Sequence, residues 1–156
     1  MPSFPDIPFS SPAFDAGGAI PAQYTCSGQG ISPQLSWGEP PTGTESFALT
    51  LSDPDAPSGT FIHWVIYNIP AASRGLPESV APGARLADGS LQGLNSAGQP
   101  GYMGPCPPSG THHYVFDLYA LDAALNLGTA VRAQGLLSAV RGHILAEAQL
   151  VGTFGR

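Results

Sequence analysis

The chain has 156 residues and a formal net charge of −6, from 11 acidic residues against five arginines and no lysine. This balance argues against nucleic acid as a partner, because binding to a phosphate backbone relies on clustered lysine and arginine, and equally against electrostatic docking to anionic membranes. The length fits a single domain over residues 1–156, and a hydrophobic content of 42 % is enough to bury a core.

The first eight residues, Met1 to Pro8, have neither a basic start nor an apolar run, so we do not expect a secretory signal. No apolar run approaches the roughly 20 residues of a membrane span. The sequence therefore predicts a soluble, cytoplasmic protein.

The first two thirds of the chain alternate apolar segments with long loops. Residues 1–33 are rich in proline, glycine and serine and predict loops with one or two short strands. Strands are predicted over residues 46–52 and 61–69, and because both are apolar on both faces they suit the centre of a covered sheet. Residues 71–111 form a long loop rich in glycine and proline, and such loops in compact domains are more often functional than idle.

The last third predicts a strand, a helix and a second strand. The strand covers residues 113–121. The helix covers residues 129–141, with Thr129 as its N-cap and an apolar stripe made of Leu136, Leu137 and Val140. Residues 143–154 fit a helix or a strand, and the spacing of their polar residues favours a terminal strand. The whole pattern predicts a mainly β domain, a two-layer β-sandwich with a peripheral helix.

Two carboxylates follow the first strong strand, in the motif Asp53-Pro-Asp-Ala-Pro57. Pro54 pushes Asp53 towards an extended conformation, so the acids stand on a stiff strand exit. On its own this motif is most simply a turn whose aspartates bond to their own backbone.

His63 lies inside the next apolar strand. Simple alternation predicts that four large apolar side chains share its face: Phe61, Val65, Tyr67 and Ile69. A buried imidazole needs hydrogen-bond partners. His63 is therefore either a core histidine satisfied by a carbonyl, or it pairs with Asp53 or Asp55 and turns its other nitrogen into a pocket, in which case the carboxylate would raise its pKa.

His112 and Tyr114 begin the third strong strand and share one face, whereas His113 faces the other way. The loop before them contains three prolines, which lack an N–H, so the candidate donors to an anion are the NH groups of Gly104, Cys106 or residues 109–111. The alternative is a stiff connection with a surface histidine.

No compact set of metal ligands and no cofactor motif is present, so we expect neither a metal nor a cofactor. Ser109 lacks the flanking residues of a nucleophile elbow. The two cysteines, Cys26 and Cys106, are too few for a disulfide scaffold or a four-cysteine zinc site.

Several motifs in this order resemble one known family. They are Tyr24-Thr-Cys-Ser-Gly28, Ile31-Ser-Pro-Gln-Leu-Ser-Trp37, Asp53-Pro-Asp-Ala-Pro57, His63-Trp-Val-Ile-Tyr-Asn-Ile-Pro70, Gly101-Tyr-Met-Gly-Pro-Cys-Pro-Pro108 and His112-His-Tyr114. From about Phe14 to Phe154 the chain closely resembles the phosphatidylethanolamine-binding protein family, in its bacterial and archaeal Raf-kinase-inhibitor-like branch.

The resemblance implies an antiparallel β-sandwich with a small pocket at one edge that binds phosphate, phosphorylated headgroups or simple oxyanions such as carboxylate. It implies that the pocket is lined by Asp53, His63, Pro108, His112 and Tyr114, with Ala56, Pro57 and Phe61 at its rim and Gly104 and Cys106 nearby. Asp55 matches an acid with a more structural role, and His113 replaces a usual arginine. The resemblance also brings Cys26 and Cys106 towards the pocket side, which makes a disulfide between them a hypothesis against the preference for free thiols in the cytosol.

The leading hypothesis is therefore a non-catalytic, anion-binding protein, a monomer or homodimer, with kinase- or protease-inhibitor-like regulation left open because partner choice lies in variable surface loops. The alternative is a hydrolase or isomerase in which Asp53, His63 and His112 act as acid and base. A protein-interaction module acting through residues 71–100 is a third possibility.

Overall fold

The structure, a computed structural model, describes residues 5–156 and builds them into two antiparallel β-sheets and one α-helix. The strands are β1 (Phe9–Ser10), β2 (Leu35–Trp37), β3 (Ser46–Asp53), β4 (Phe61–Pro70), β5 (Gly75–Leu76), β6 (Leu91–Gln92), β7 (Thr111–Leu121) and β8 (Ile144–Gly155). Helix α1 spans Ala133–Val140, and a 3₁₀ turn spans Ala22–Tyr24. The smaller sheet has the strand order β1-β2-β5, and the larger has the order β6-β4-β3-β7-β8.

The predicted β-sandwich is confirmed, and the four predicted strong strands form the middle and one edge of the larger sheet. Phe47, Leu49 and Leu51 of β3 are fully buried in the main core, which the smaller sheet closes with residues such as Trp37. The opposite face of the larger sheet carries a second cluster that packs under α1. Both faces of the central strands are therefore covered, which explains why their sequences are apolar throughout.

Helix α1 is shorter than predicted, and Thr129 is not its N-cap. The cap position is Arg132, which has an extended backbone, because residues 131 and 132 pair with Leu94 and the Val131 carbonyl accepts a hydrogen bond from the Leu94 N–H. Leu136 is buried as expected, but Leu137 is 40 % exposed. Within residues 5–156, no helix is long and apolar enough to cross a membrane.

Two β-bulges in β4 change the faces that simple alternation predicted. Leu51 pairs with Trp64 and Ser52 with Ile62, so His63 is an extra residue in β4, and a second irregularity follows Ile66. Each extra residue reverses the alternation of the residues after it. The predicted face is therefore wrong for Val65 and Tyr67, which pack in the cluster under the helix. Trp64 and Ile66 point into the main core in their place, and Ile69, beyond the second irregularity, lies in the main core as well.

The outer edge of β8 is covered by the N-terminal part of the chain. The Glu147 N–H donates to the Pro5 carbonyl, and the Gly17 N–H donates to the Val151 carbonyl. Further along, Thr153 exchanges backbone hydrogen bonds with residues 18 and 20. The edge strand is thus paired along much of its length without a complete sixth strand.

Asn68 supports the second bulge and provides a test of it. Its backbone is left-handed, with φ of 54°, and its side chain both accepts from the Leu125 N–H and donates to the Leu125 carbonyl. We predict that Asn68→Gly, which loses only these hydrogen bonds, destabilises the protein by about 1–2 kcal/mol. Asn68→Ala should cost roughly 1 kcal/mol more, because alanine resists positive φ.

Urea unfolding of both variants measures the difference. Equal free energies of unfolding for the alanine and glycine variants would show that the left-handed backbone at residue 68 is not required.

Candidate functional site

A cavity of about 180 Å³ opens where β3 ends and its two neighbours begin. Since β4 and β7 flank β3 in antiparallel order, residues that are far apart in sequence meet at this edge. The lining residues are Asp53, Ala56, Pro57, Phe61, His63, Met103, Cys106, Pro107, Pro108 and His112.

Eight of the ten predicted binding residues line this cavity, and the two that do not are Gly104 and Tyr114. Met103 and Pro107 line it but were not predicted. Pro107 belongs to the same proline-rich loop as Pro108 and could have been proposed from the sequence. Nothing in the sequence marked Met103, whose backbone carbonyl contacts His63.

Asp53 connects the end of β3 to the start of β7. It is only 3 % exposed, its Oδ2 lies 2.6 Å from Nδ1 of His112, and its Oδ1 accepts the Asp55 N–H at 2.9 Å. Because a carboxylate accepts hydrogen bonds, Nδ1 of His112 carries the proton in this pair. The pair fixes the orientation of the His112 ring and leaves its Nε2 as the free polar atom.

His63 has a backbone carbonyl as its partner. Its Nδ1 donates to the Met103 carbonyl at 2.7 Å, so of the two alternatives the direct pairing with Asp53 or Asp55 is not what the structure shows. The carbonyl-bonded alternative describes this nitrogen correctly. Burial lowers the pKa of His63, and the Met103 carbonyl and the nearby Asp53 charge only partly oppose that effect. His63 is therefore neutral in the free pocket at pH 7.

Tyr114 lies beside both histidines although it does not line the cavity. Its ring centroid is 5.4 Å from that of His63 and 6.4 Å from that of His112. The hydroxyl is fully buried and makes no hydrogen bond to any residue in the described part of the chain. Burial raises its pKa, and the Asp53 carboxylate raises it further by its charge and by its closeness to the hydroxyl, although the two groups do not reach hydrogen-bond geometry, so the hydroxyl is neutral. A buried hydroxyl without a partner is rare in proteins and calls for an explanation, such as a water or ligand that satisfies it.

A second Asp–His pair lies on the outer side of β7. Asp55 Oδ2 accepts both the backbone N–H and the Nδ1–H of His113, each at 2.8 Å. His113 thus faces away from the cavity, as predicted. Its backbone and side-chain hydrogen bonds lower the pKa of Asp55. This pair holds the Asp53–Pro57 turn against the strand and supports the structural role expected for Asp55.

The loop before β7 forms one wall of the cavity. In the structure Cys106 of this wall is joined by a disulfide to Cys26, and the Cys26 N–H donates to the Pro105 carbonyl at 3.0 Å. Gly104 faces away from the cavity, and a Cβ there would lie 2.9 Å from the Tyr24 carbonyl oxygen. Gly104 therefore lets the wall pack closely on the 3₁₀ turn and its following residues.

The site combines two imidazoles, one carboxylate and an apolar surround. In the part of the chain that the structure describes, no three His, Cys, Asp or Glu side chains are arranged to hold one metal ion. Both Nδ1 atoms are committed to acceptors, so each ring keeps Nε2 for a ligand. When neutral these atoms accept hydrogen bonds, and when protonated they donate them.

Comparison with known proteins agrees with the fold. A curated relative from Methanothermobacter thermautotrophicus, named UPF0098 protein, is 52 % identical over 92 % of this chain and 95 % of its own length. The crystal structure of a phosphatidylethanolamine-binding protein homologue, CT736, from Chlamydia trachomatis matches with a TM-score of 0.88 and 40 % identity, covering 97 % of this chain and 98 % of that one.

The crystal structure of YbcL from E. coli, described as a member of the mammalian PEBP family, matches with a TM-score of 0.89 and 30 % identity over 97 % of this chain and 99 % of that one. The sequence pattern of the phosphatidylethanolamine-binding protein family covers residues 10–155. The chain belongs to the phosphatidylethanolamine-binding protein family, a family of ligand-binding proteins.

Proposed function

We propose that the cavity binds a small oxyanion, such as phosphate, the phosphate of an organic ester or a carboxylate, and takes up a proton as it does so. The observation that carries this proposal is the pair of imidazoles whose Nδ1 atoms are both already bonded to acceptors. Only Nε2 of each ring is left for the ligand. Protonation turns these two atoms into donors, which is what an acceptor-only anion requires.

The unpartnered Tyr114 hydroxyl supplies a third donor. It is neutral, buried and without a hydrogen-bond partner among the described residues, so a ligand oxygen would satisfy it. A buried donor that gains a charged acceptor gives one of the stronger hydrogen bonds in proteins.

The Asp53 carboxylate is compatible with an anion because its charge is already engaged. The carboxylate accepts one hydrogen bond from Nδ1 of His112 and one from the Asp55 N–H, so each of its oxygens already has a donor. Protonated His112 would offset its charge, so the anion meets a hydrogen-bonded Asp–His pair rather than a bare carboxylate.

Apolar groups line the rest of the cavity, including Pro57, Phe61 and Pro108. An apolar lining lowers the local dielectric constant and so strengthens hydrogen bonds to a charged ligand. It also gives an organic substituent a surface on which to pack, so esters as well as inorganic anions fit the chemistry. Kinase- or protease-inhibitor-like regulation and a cytoplasmic location remain predictions from the sequence.

An acid–base enzyme is the alternative that one contact favours. The 2.6 Å contact between Asp53 and His112 orients an imidazole as in enzymes that use histidine as a general base. Turnover of a phosphoester that His112→Ala or His63→Ala abolishes would establish this alternative, whereas binding without turnover supports the proposal.

The Tyr114→Phe variant tests the role of the hydroxyl. Because that hydroxyl has no hydrogen-bond partner within residues 5–156, we predict unchanged or slightly higher stability in urea. Phosphate affinity, measured by titration calorimetry at pH 6, should fall by about 10- to 100-fold, the effect of losing a charged hydrogen bond worth about 1.5–3 kcal/mol.

Tyr119→Phe, five residues further along the same strand and packed against the cluster under the helix, is the matched control and should bind phosphate normally. Unchanged phosphate affinity in Tyr114→Phe would remove the hydroxyl from the proposed site.

The pH dependence of binding tests the proton uptake. His63 has a lowered pKa in the free protein and must become charged to donate, so affinity should rise as pH falls from 8 to 5 and keep rising below the ordinary histidine pKa of about 6.5. Each proton taken up changes affinity by at most about tenfold per pH unit. Sulfate is the better probe here because its charge stays constant over this range.

His143→Gln is the matched control, since His143 pairs with Asp122 on the surface and should not affect the profile. Sulfate affinity that stays flat between pH 5 and 8 would contradict proton-linked binding.

A further inference from the structure

The disulfide between Cys26 and Cys106 joins the cavity wall to a segment that is distant in sequence. The two residues are 80 positions apart, and Cys106 is itself one of the lining residues. Both cysteines are exposed to solvent. This combination is unusual for a purely structural bridge, because exposed disulfides are the ones that thiols can reach.

The wall has few other attachments between its two ends. At one end the Met103 N–H donates to the His63 carbonyl, and at the other Gly110 exchanges two backbone hydrogen bonds with Arg156. Between them stand three prolines, which have no N–H to donate. The contact from the Cys26 N–H to the Pro105 carbonyl depends on the same segment that the disulfide holds in place.

The guanidinium of Arg156 places a positive charge beside the two sulfurs of the disulfide. This group donates to Cys106 Sγ at 3.3 Å and to Cys26 Sγ at 3.7 Å. In the part of the chain that the structure describes, Arg156 makes no ion pair with a carboxylate. A neighbouring arginine stabilises a thiolate, and a stabilised thiolate leaves faster in thiol–disulfide exchange.

We propose that Cys26–Cys106 is a redox-reactive site for dithiol reductants, and that its state sets the anion affinity of the adjacent cavity. In the reaction a reductant thiolate attacks Cys26 Sγ, the bond to Cys106 breaks, and the Cys106 sulfur leaves as a thiolate beside Arg156 and then takes up a proton. The second thiol of the reductant attacks the mixed disulfide and releases Cys26. Two electrons and two protons pass to the protein, and the reductant becomes a disulfide.

The effect on binding follows from the mobility of the freed wall, and this part rests on the function proposed above. The Met103 carbonyl that orients His63 and the apolar faces of Pro107 and Pro108 belong to the same short stretch of chain. Without the bridge, a ligand must order this stretch as it binds, and that entropy opposes binding. The oxidised protein is therefore the tight-binding form.

The test compares one protein preparation before and after dithiothreitol treatment, with phosphate as the probe at pH 6. Thiol titration after denaturation should give no free thiol before treatment and two per chain after it. Calorimetry should show affinity about tenfold lower in the reduced protein, the order expected for reordering a short loop. Two free thiols in untreated, air-oxidised protein, or affinities equal within twofold in the two states, would overturn the proposal.

The Cys26→Ser/Cys106→Ser double variant is the matched control. It should bind phosphate as weakly as the reduced protein and should not respond to dithiothreitol. A response in this variant would mean that the reductant acts elsewhere, and the proposal would fail.

A second measurement needs no ligand and separates this proposal from the proposed function. Amide NMR signals of Met103, Gly104 and Cys106 should shift and broaden on reduction, and their unchanged positions would refute a freed wall whether or not phosphate binds.

Arg156→Gln should slow reduction by dithiothreitol about threefold or more because the leaving thiolate loses its cation. Arg141→Gln, at the end of α1, is the control and should leave the reduction rate unchanged, and equal rates in both variants would exclude Arg156 from the site.

Discussion

The buried hydrogen bond between Asp53 and His112 is the interaction on which the site depends. It joins the end of one central strand to the beginning of the next, inside a sheet whose buried faces are mainly apolar. A carboxylate leaves water only when it is paired, and removing one partner of such a buried pair typically costs about 3–5 kcal/mol. The hydrogen bond that satisfies the Asp53 carboxylate also fixes the orientation of the His112 ring. One contact therefore stabilises this edge of the sheet and sets the geometry of the cavity.

The two histidines differ because their Nδ1 partners differ. His112 faces a carboxylate, whereas His63 faces only the Met103 carbonyl and loses solvent without gaining a full opposite charge. The cavity therefore pairs one imidazole held by an acid with one whose burial lowers its pKa and so resists protonation. The loop before β7 causes this difference, because its Met103 carbonyl is the group that bonds Nδ1 of His63 in β4.

Much of the fold and most of the site could be predicted from the sequence, and the failures have local physical reasons. The apolar runs around Leu49, Val65 and Leu118 are long enough to specify strands by themselves. Antiparallel order then brings the ends of those strands together, which is why Asp53, His63 and His112 do meet.

The faces of β4 could not be predicted in the same way, because a bulge at His63 leaves no mark in a period-two pattern. The partner of His63 was missed because a backbone carbonyl is present at every residue and carries no side-chain signal. The start of α1 was misplaced because pairing with Leu94, a contact between distant parts of the chain, keeps the preceding residues extended.

The covered edge of β8 has a consequence for how the chain behaves when it is shortened. Residues 5–20 occupy backbone groups of that strand that would otherwise be open to any extended peptide. An uncovered edge strand is a template for pairing between molecules and hence for aggregation. Residues 5–20 thus protect the protein against self-association. Removing them would expose the edge of the twelve-residue strand β8 to pairing with other molecules.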